Sequence, residues 1–138
     1  MATLTRHAIR QVTLQALFGL SVNLDAQPEA VIKQALAGDP ELENISEAPT
    51  EVLELVQKVQ AYSDDADLMI SKYLIEGWTL DRLNLIDLEI MRIAIFEASQ
   101  GDVPTKVAVN ESLNLAKEFT DESSAKFING ILSKVLTF

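Results

Sequence analysis

The sequence predicts an all-α protein, a compact bundle of six or seven helices. Three observations predict it: apolar residues recur at i, i+3, i+4 and i+7, no strand pair or hairpin dipeptide interrupts them, and one sixteen-residue stretch is apolar almost all round. No internal repeat emerges.

The first helix is expected from Thr5 to Val22, where Ile9, Val12, Ala16 and Leu20 form one stripe with Leu17 beside them. Thr5 is its candidate N-cap. Arg6 and Arg10, four residues apart, project from one face, with His7 one position round, so a small basic cluster is expected in an exposed first turn. Asn23 to Pro28 is turn-like, and Pro28 suits the first turn of a second helix carrying Ala30, Val31, Ala35 and Leu36 up to the Gly38-Asp39-Pro40 break. From Gly38 to Ala48 the chain is acidic and aperiodic, which reads as a loop with at most a turn of helix.

Pro49 and Thr50 open a third helix with Val52, Leu55, Val56 and Val59 at helical spacing. Ser63, or one of the aspartates after it, is read as the cap of a separate helix containing Ala66, Met69, Ile70 and Tyr73, stopped by Gly77. Leu83 to Ala98 is the all-apolar stretch; its length exceeds a typical strand and places a helix in the middle of the bundle, with Asp87, Glu89, Arg92 and Glu97 directed to its edges. After the connector Gly101-Asp102-Val103-Pro104, two more helices are expected, about Thr105 to Phe119 and about Glu122 to Leu136, the second capped by Thr120 or Asp121. Gly130 falls inside that last helix, where glycine costs ~1 kcal/mol relative to alanine, and a close helix-helix contact is its expected reason, ahead of a partner's approach.

Length and composition bound the function. The chain has 138 residues, the usual size of one domain with a full core, and residues 1–138 are read as a single domain. With no cysteine and one histidine, disulfide frameworks, thiolate zinc sites and Ser/His/Asp catalysis drop out. No glycine-rich phosphate loop, HExxH or EF-hand pattern is present, and Asp64, Asp65 and Asp67 read as a solvated helix start, so no metal or other cofactor is expected. A non-enzymatic role follows. Without a membrane-length apolar run or a secretory leader, the chain is read as soluble, cytoplasmic and full-length.

The formal net charge of -10 argues against a general nucleic-acid binder held by its overall field. The charge is unevenly spread. No acid precedes Asp25, while sixteen acids face five basic residues from Asp25 to Gln100, and five acids face four lysines from Gly101 onward. A polyanion is therefore steered toward the two ends of the sequence.

Long strings then point to one family. Asp102-Val-Pro-Thr-Lys-Val-Ala-Val-Asn-Glu-Ser-Leu-Asn-Leu-Ala-Lys-Glu-Phe119, followed by Lys126-Phe-Ile-Asn-Gly-Ile-Leu132, resembles the C-terminal signature of the NusB family. Trp78-Thr-Leu-Asp-Arg-Leu83, Ile90-Met-Arg-Ile-Ala-Ile-Phe-Glu97, Arg6-His-Ala-Ile-Arg10 and Leu14-Gln-Ala-Leu-Phe18 extend the resemblance over nearly the whole chain.

The resemblance implies two small helical sub-bundles packed together and a role in transcription antitermination. In that role the protein binds single-stranded boxA RNA of ribosomal RNA operon leaders together with NusE, a small-subunit ribosomal protein, and supports read-through by RNA polymerase in the elongation complex. Family members carry an arginine-rich first helix; the matching positions here are Arg6, His7 and Arg10, so one arginine is a histidine. Phosphate contacts from Arg6 and Arg10, with Phe127 beside Lys126 as a stacking face, suit single-stranded RNA. Core packing is the alternative for Phe127 and for Phe18. Tyr73, Asp81, Asp87 and Arg92 match the partner-binding face, with Asp81 alternatively a cap of the central helix and Arg92 an internal ion-pair partner. With so few positive charges, RNA binding by the chain alone is expected to be weak, and the acidic middle suits a basic ribosomal partner. The competing reading is a regulatory helical module that self-associates, as a homodimer, through its first helix. A domain of a ribosomal RNA methyltransferase is disfavoured because the sequence ends at Phe138 without a cofactor-binding region.

Overall fold

A computed structural model describes residues 4–136 and contains six α-helices. They are α1 (Arg6–Val22), α2 (Pro28–Ala37), α3 (Thr50–Ser71), α4 (Leu85–Ser99), α5 (Thr105–Phe119) and α6 (Glu122–Val135). A single 3-10 turn, Leu80–Arg82, precedes α4. The all-α expectation holds. The chain divides into two compact units, one running through Gln60 and the other from Ala61 onward, so the division falls within α3. No described helix is long and apolar enough to cross a membrane.

In the first unit, Thr5 Oγ1 accepts a hydrogen bond from the Ala8 amide at 3.0 Å and caps α1 as its residue type suggests. Helix α1 packs against α2. The buried apolar residues include Leu14, Ala16 and Leu17 from α1, and Ile32 and Leu36 from α2. Gly19 makes the close approach possible, because a Cβ there would lie 2.7 Å from Val31 Cγ1. Pro28 occupies the first turn of α2, and the acidic stretch after α2 is a run of turns held by bonds such as Leu42 N to Asp39 O at 2.9 Å.

Helix α3 corrects the expectation of two helices. Ser63, Asp64 and Asp65 lie in its interior and cap nothing, because the buried stripe Val52, Val56, Val59, Ala66 and Ile70 keeps one helical register straight through them. Asp64 and Asp65 face solvent, where a short acidic side chain carries only a small propensity cost. The helix ends at Ser71, and Gly77 instead takes a left-handed turn conformation at φ 89° six residues later.

In the second unit α4 packs against both α5 and α6, which also pack on each other. Leu88, Ile90, Met91, Ile93, Ala94 and Ile95 are buried, as the all-apolar pattern requires. Asp87, Glu89 and Glu97, expected at the edges of this helix, are buried too, and Arg92 is half-buried. A helix covered on more than one side has no open edge left for them. The Tyr62 and Phe96 rings meet edge to face, 6.0 Å between centroids. Asp121 is the cap of α6, accepting from the Ser124 amide at 2.8 Å, while the Thr120 hydroxyl donates to the Ala116 carbonyl at the end of α5. Asn84, rather than Asp81, caps α4 by accepting from the Ile86 amide at 3.2 Å.

Gly130 departs from expectation most sharply. It is exposed, and a Cβ built there would meet nothing within 4 Å, so no described helix-helix contact requires it.

Candidate functional site

On α1 the basic cluster is graded in depth. Arg6 is exposed, His7 half-buried and Arg10 only 5 % exposed, which corrects the picture of an open cationic turn. Neither His7 nor Arg10 is without a partner. Arg10 precedes the buried run Val12, Thr13 and Leu14, so the helix turns its side chain inward. Phe18, on the same helix, is half-buried. Arg6 is thus the cation of this cluster that solvent or a phosphate reaches most freely.

In the second unit, α4, α6 and the segment between α3 and α4 enclose a groove of about 410 Å³. Leu74, Ile75, Trp78, Leu83 and Phe127 supply its apolar walls. Ile75 is 77 % exposed and Trp78 51 %, an unusual outlay of large apolar surface to water. Asp87 also lines the groove. Asp87 Oδ2 accepts from the Ser124 hydroxyl at 3.1 Å, while Oδ1 is buried with no hydrogen-bond partner among the described residues. Burial pushes its carboxyl above the ordinary aspartate value; the Ser124 hydrogen bond opposes that rise, and the nearby Asp121 charge adds to it. An unpaired acceptor in an apolar wall makes the ionised carboxylate costly, and a cation docked across the groove would offset that cost.

The structure therefore brings Phe127, a stacking candidate, and Asp87, a partner-binding candidate, into one groove. Tyr73 is 40 % exposed just before the groove's first wall residue in sequence. Asp81 is exposed, bonded to the Thr79 hydroxyl, which holds its carboxyl below the usual range together with its own backbone amide. Arg92 is occupied otherwise: it donates to Asp67 at 2.8 and 2.7 Å and to Glu89 at 3.2 Å. The Asp67 hydrogen bonds, outweighing desolvation, raise the guanidinium pKa further. Lys126 is exposed one residue before Phe127 and lines a second, smaller groove between α5 and α6.

Sequence reasoning missed Trp78, Ile75 and Ser124 as groove residues. A usable signal was present for the first two, since large apolar residues between Tyr73 and Trp78 follow no helical stripe and have no helix to serve. Among the described residues no group of three or more acidic or histidine side chains is placed to hold a metal ion.

The model of the NusB family matches residues 7–137. The chain belongs to the NusB family. Among its relatives, the transcription antitermination protein NusB of Lactiplantibacillus plantarum is 45% identical over 135 residues, covering 97% of this chain and 96% of that protein. The protein of the same name from Ligilactobacillus salivarius is 42% identical over 134 residues, covering 97% and 99%. Among solved structures, T. maritima NusB superposes with a TM-score of 0.78 at 27% identity, covering 99% of this chain and 93% of that one. A structure of the antitermination factors NusB and NusE in complex with dsRNA shares the fold, with a TM-score of 0.76 at 22% identity and 96% of each chain covered.

Proposed function

We propose that this chain acts as a transcription antitermination factor that binds boxA-type single-stranded leader RNA of ribosomal RNA operons jointly with NusE. The role is non-catalytic: it supports read-through by RNA polymerase by holding RNA and protein together. The observation that carries the joint mode is the shared groove, in which Phe127 and Asp87 are both wall residues. A basic ribosomal protein that brings a cation to the groove lined by the Asp87 carboxylate sits beside the ring on which a base stacks. Protein docking and RNA binding then reinforce each other, and a chain of net charge -10 needs that help to hold a polyanion.

Within this reading Arg6 and His7 contact phosphates, Lys126 does the same beside Phe127, and Phe18 contributes aromatic surface. Arg10, at 5 % exposure, holds α1 in place rather than touching RNA directly. Tyr73, Asp81 and Asp87 meet the partner, with Trp78 as the large apolar contact such interfaces favour. Arg92 orders α4 from behind the interface through Asp67 and Glu89.

The test is a titration of boxA-type RNA into the protein with and without NusE, at two salt concentrations. The pair should bind the RNA more tightly than either component and prefer it over a scrambled sequence. Equal affinity for both RNAs would refute the reading.

A further inference from the structure

We propose that Gly130 and the groove between Lys117 and Lys126 form a second RNA-backbone subsite, seating the sugar-phosphate next to the nucleotide stacked on Phe127. This rests on the RNA-binding reading above and adds to it a defined stretch of α6 and α5.

Glycine in the interior of a 14-residue helix needs a reason, since alanine is the better helix former. Three ordinary reasons fail here. The backbone of Gly130 is not left-handed, because Gly77 is the described glycine with positive φ. No neighbour crowds it, in contrast to Gly19, where a side chain would strike Val31. It does not end the helix, which continues to Val135. What remains is a surface kept low so that something outside can lie against the helix backbone.

The position says what that is. Gly130 lies three residues after Phe127 and four after Lys126, so on a helix it adjoins both, one turn further on. A strand that stacks a base on Phe127 and neutralises a phosphate at Lys126 passes over Gly130. Beside it, Lys117, Lys126 and Asn129 border a groove of about 230 Å³ floored by Leu113 and Ala125. Glu122 stands at the same groove, next to the Asp121 cap. Two ammonium groups and an exposed amide, which can both donate and accept, suit a phosphodiester and its ribose hydroxyl. Lys134, one turn beyond Gly130, continues the cationic side of the helix. An acidic protein would also welcome the lysines, but it gains nothing from the missing side chain unless its own backbone must lie on α6.

The experiment uses the full chain with NusE and boxA-type RNA, comparing Gly130→Ala, Gly130→Gln and Lys117→Ala with the parent. Both Gly130 variants should fold with melting temperatures equal to or above the parent's, since alanine and glutamine favour helix and space is open. RNA affinity should nevertheless fall, by about tenfold for Gly130→Gln and less for Gly130→Ala, equivalent to one lost close contact. Lys117→Ala should weaken binding and reduce the salt slope by about one counterion. The inference is overturned if both Gly130 variants bind RNA like the parent while Phe127→Ala loses affinity, a result that leaves the RNA reading standing. It is equally overturned if Gly130→Gln weakens NusE association alone, which would make this face of α6 a protein contact. Failure of the parent itself to prefer boxA-type RNA would instead remove the reading on which the subsite rests.

Discussion

Arg92 holds Asp67 in a two-pronged ion pair, Nε to Oδ1 at 2.8 Å and Nη2 to Oδ2 at 2.7 Å, joining α4 to the last turns of α3. The remaining guanidinium nitrogen reaches Glu89 at 3.2 Å. Arginine alone can satisfy two carboxylates in this planar way.

The two partners should not be equally costly to remove. Arg92→Ala takes the cation from two carboxylates at once, of which the Glu89 side chain is only 3% exposed, and is expected to cost about 3 kcal/mol in urea unfolding, as for a broken buried pair. Asp67→Ala leaves Arg92 paired with Glu89 and should cost roughly 1 kcal/mol, nearer the value for an accessible pair. Equal losses would mean that Glu89 gains nothing from Arg92.

Asp87 sets a pH dependence whose sign follows from burial. Its pKa is raised on folding, so the folded state holds the proton more firmly than the unfolded state. The ionised carboxylate therefore subtracts from stability above the raised pKa, and that loss fades as pH falls through it toward the ordinary aspartate value. Asp87→Asn should raise the melting temperature at neutral pH, with the advantage shrinking on acidification through that window. The same variant should weaken NusE binding, since a neutral amide attracts a cation less.

Phe127→Ala separates stacking from packing. The ring is half-buried in the groove wall, so the stability loss should stay below the ~3 to 5 kcal/mol of a fully buried phenylalanine. RNA affinity should drop by about 1 to 3 kcal/mol, the usual worth of one base stacked on an aromatic side chain. Thermal melts and RNA titrations on one preparation decide the matter, and a full core-sized loss would return Phe127 to packing.

Gly19→Ala tests the approach of α1 to α2. The new methyl meets Val31 Cγ1 at 2.7 Å, and overpacking of about 1 to 3 kcal/mol outweighs the ~1 kcal/mol that alanine adds to a helix. Combined with Val31→Ala, the variant should be more stable than the sum of the two single changes predicts, by about 1 kcal/mol. Strict additivity in chemical denaturation would show that the helices separate freely.

Several elements were legible because their signals are local. Helix α5 runs from Thr105 to Phe119 as its apolar spacing indicates, Thr5 caps α1, and Asp121 caps α6. The expectation of a break inside α3 has a local cause as well: Ser63 and its aspartates carry cap chemistry, and only the unbroken burial of Val59, Ala66 and Ile70 outweighs it. Site residues were harder. Arg6 and Arg10 look alike in sequence, yet one is exposed and the other buried, because depth depends on which flank of the helix is covered.

By itself the sequence determined the helical class, most helix limits, the family and the absence of cysteine chemistry, because periodicity, capping and motif strings are written in neighbouring residues. Tertiary structure alone decided that Asp87 and Phe127 share one groove, that Arg92 is committed to Asp67, and that a side chain at Gly130 would meet nothing within 4 Å. Those facts join residues 25 to 40 positions apart, or depend on space left empty, and burial and long-range contact are properties of the packed chain rather than of any segment of it.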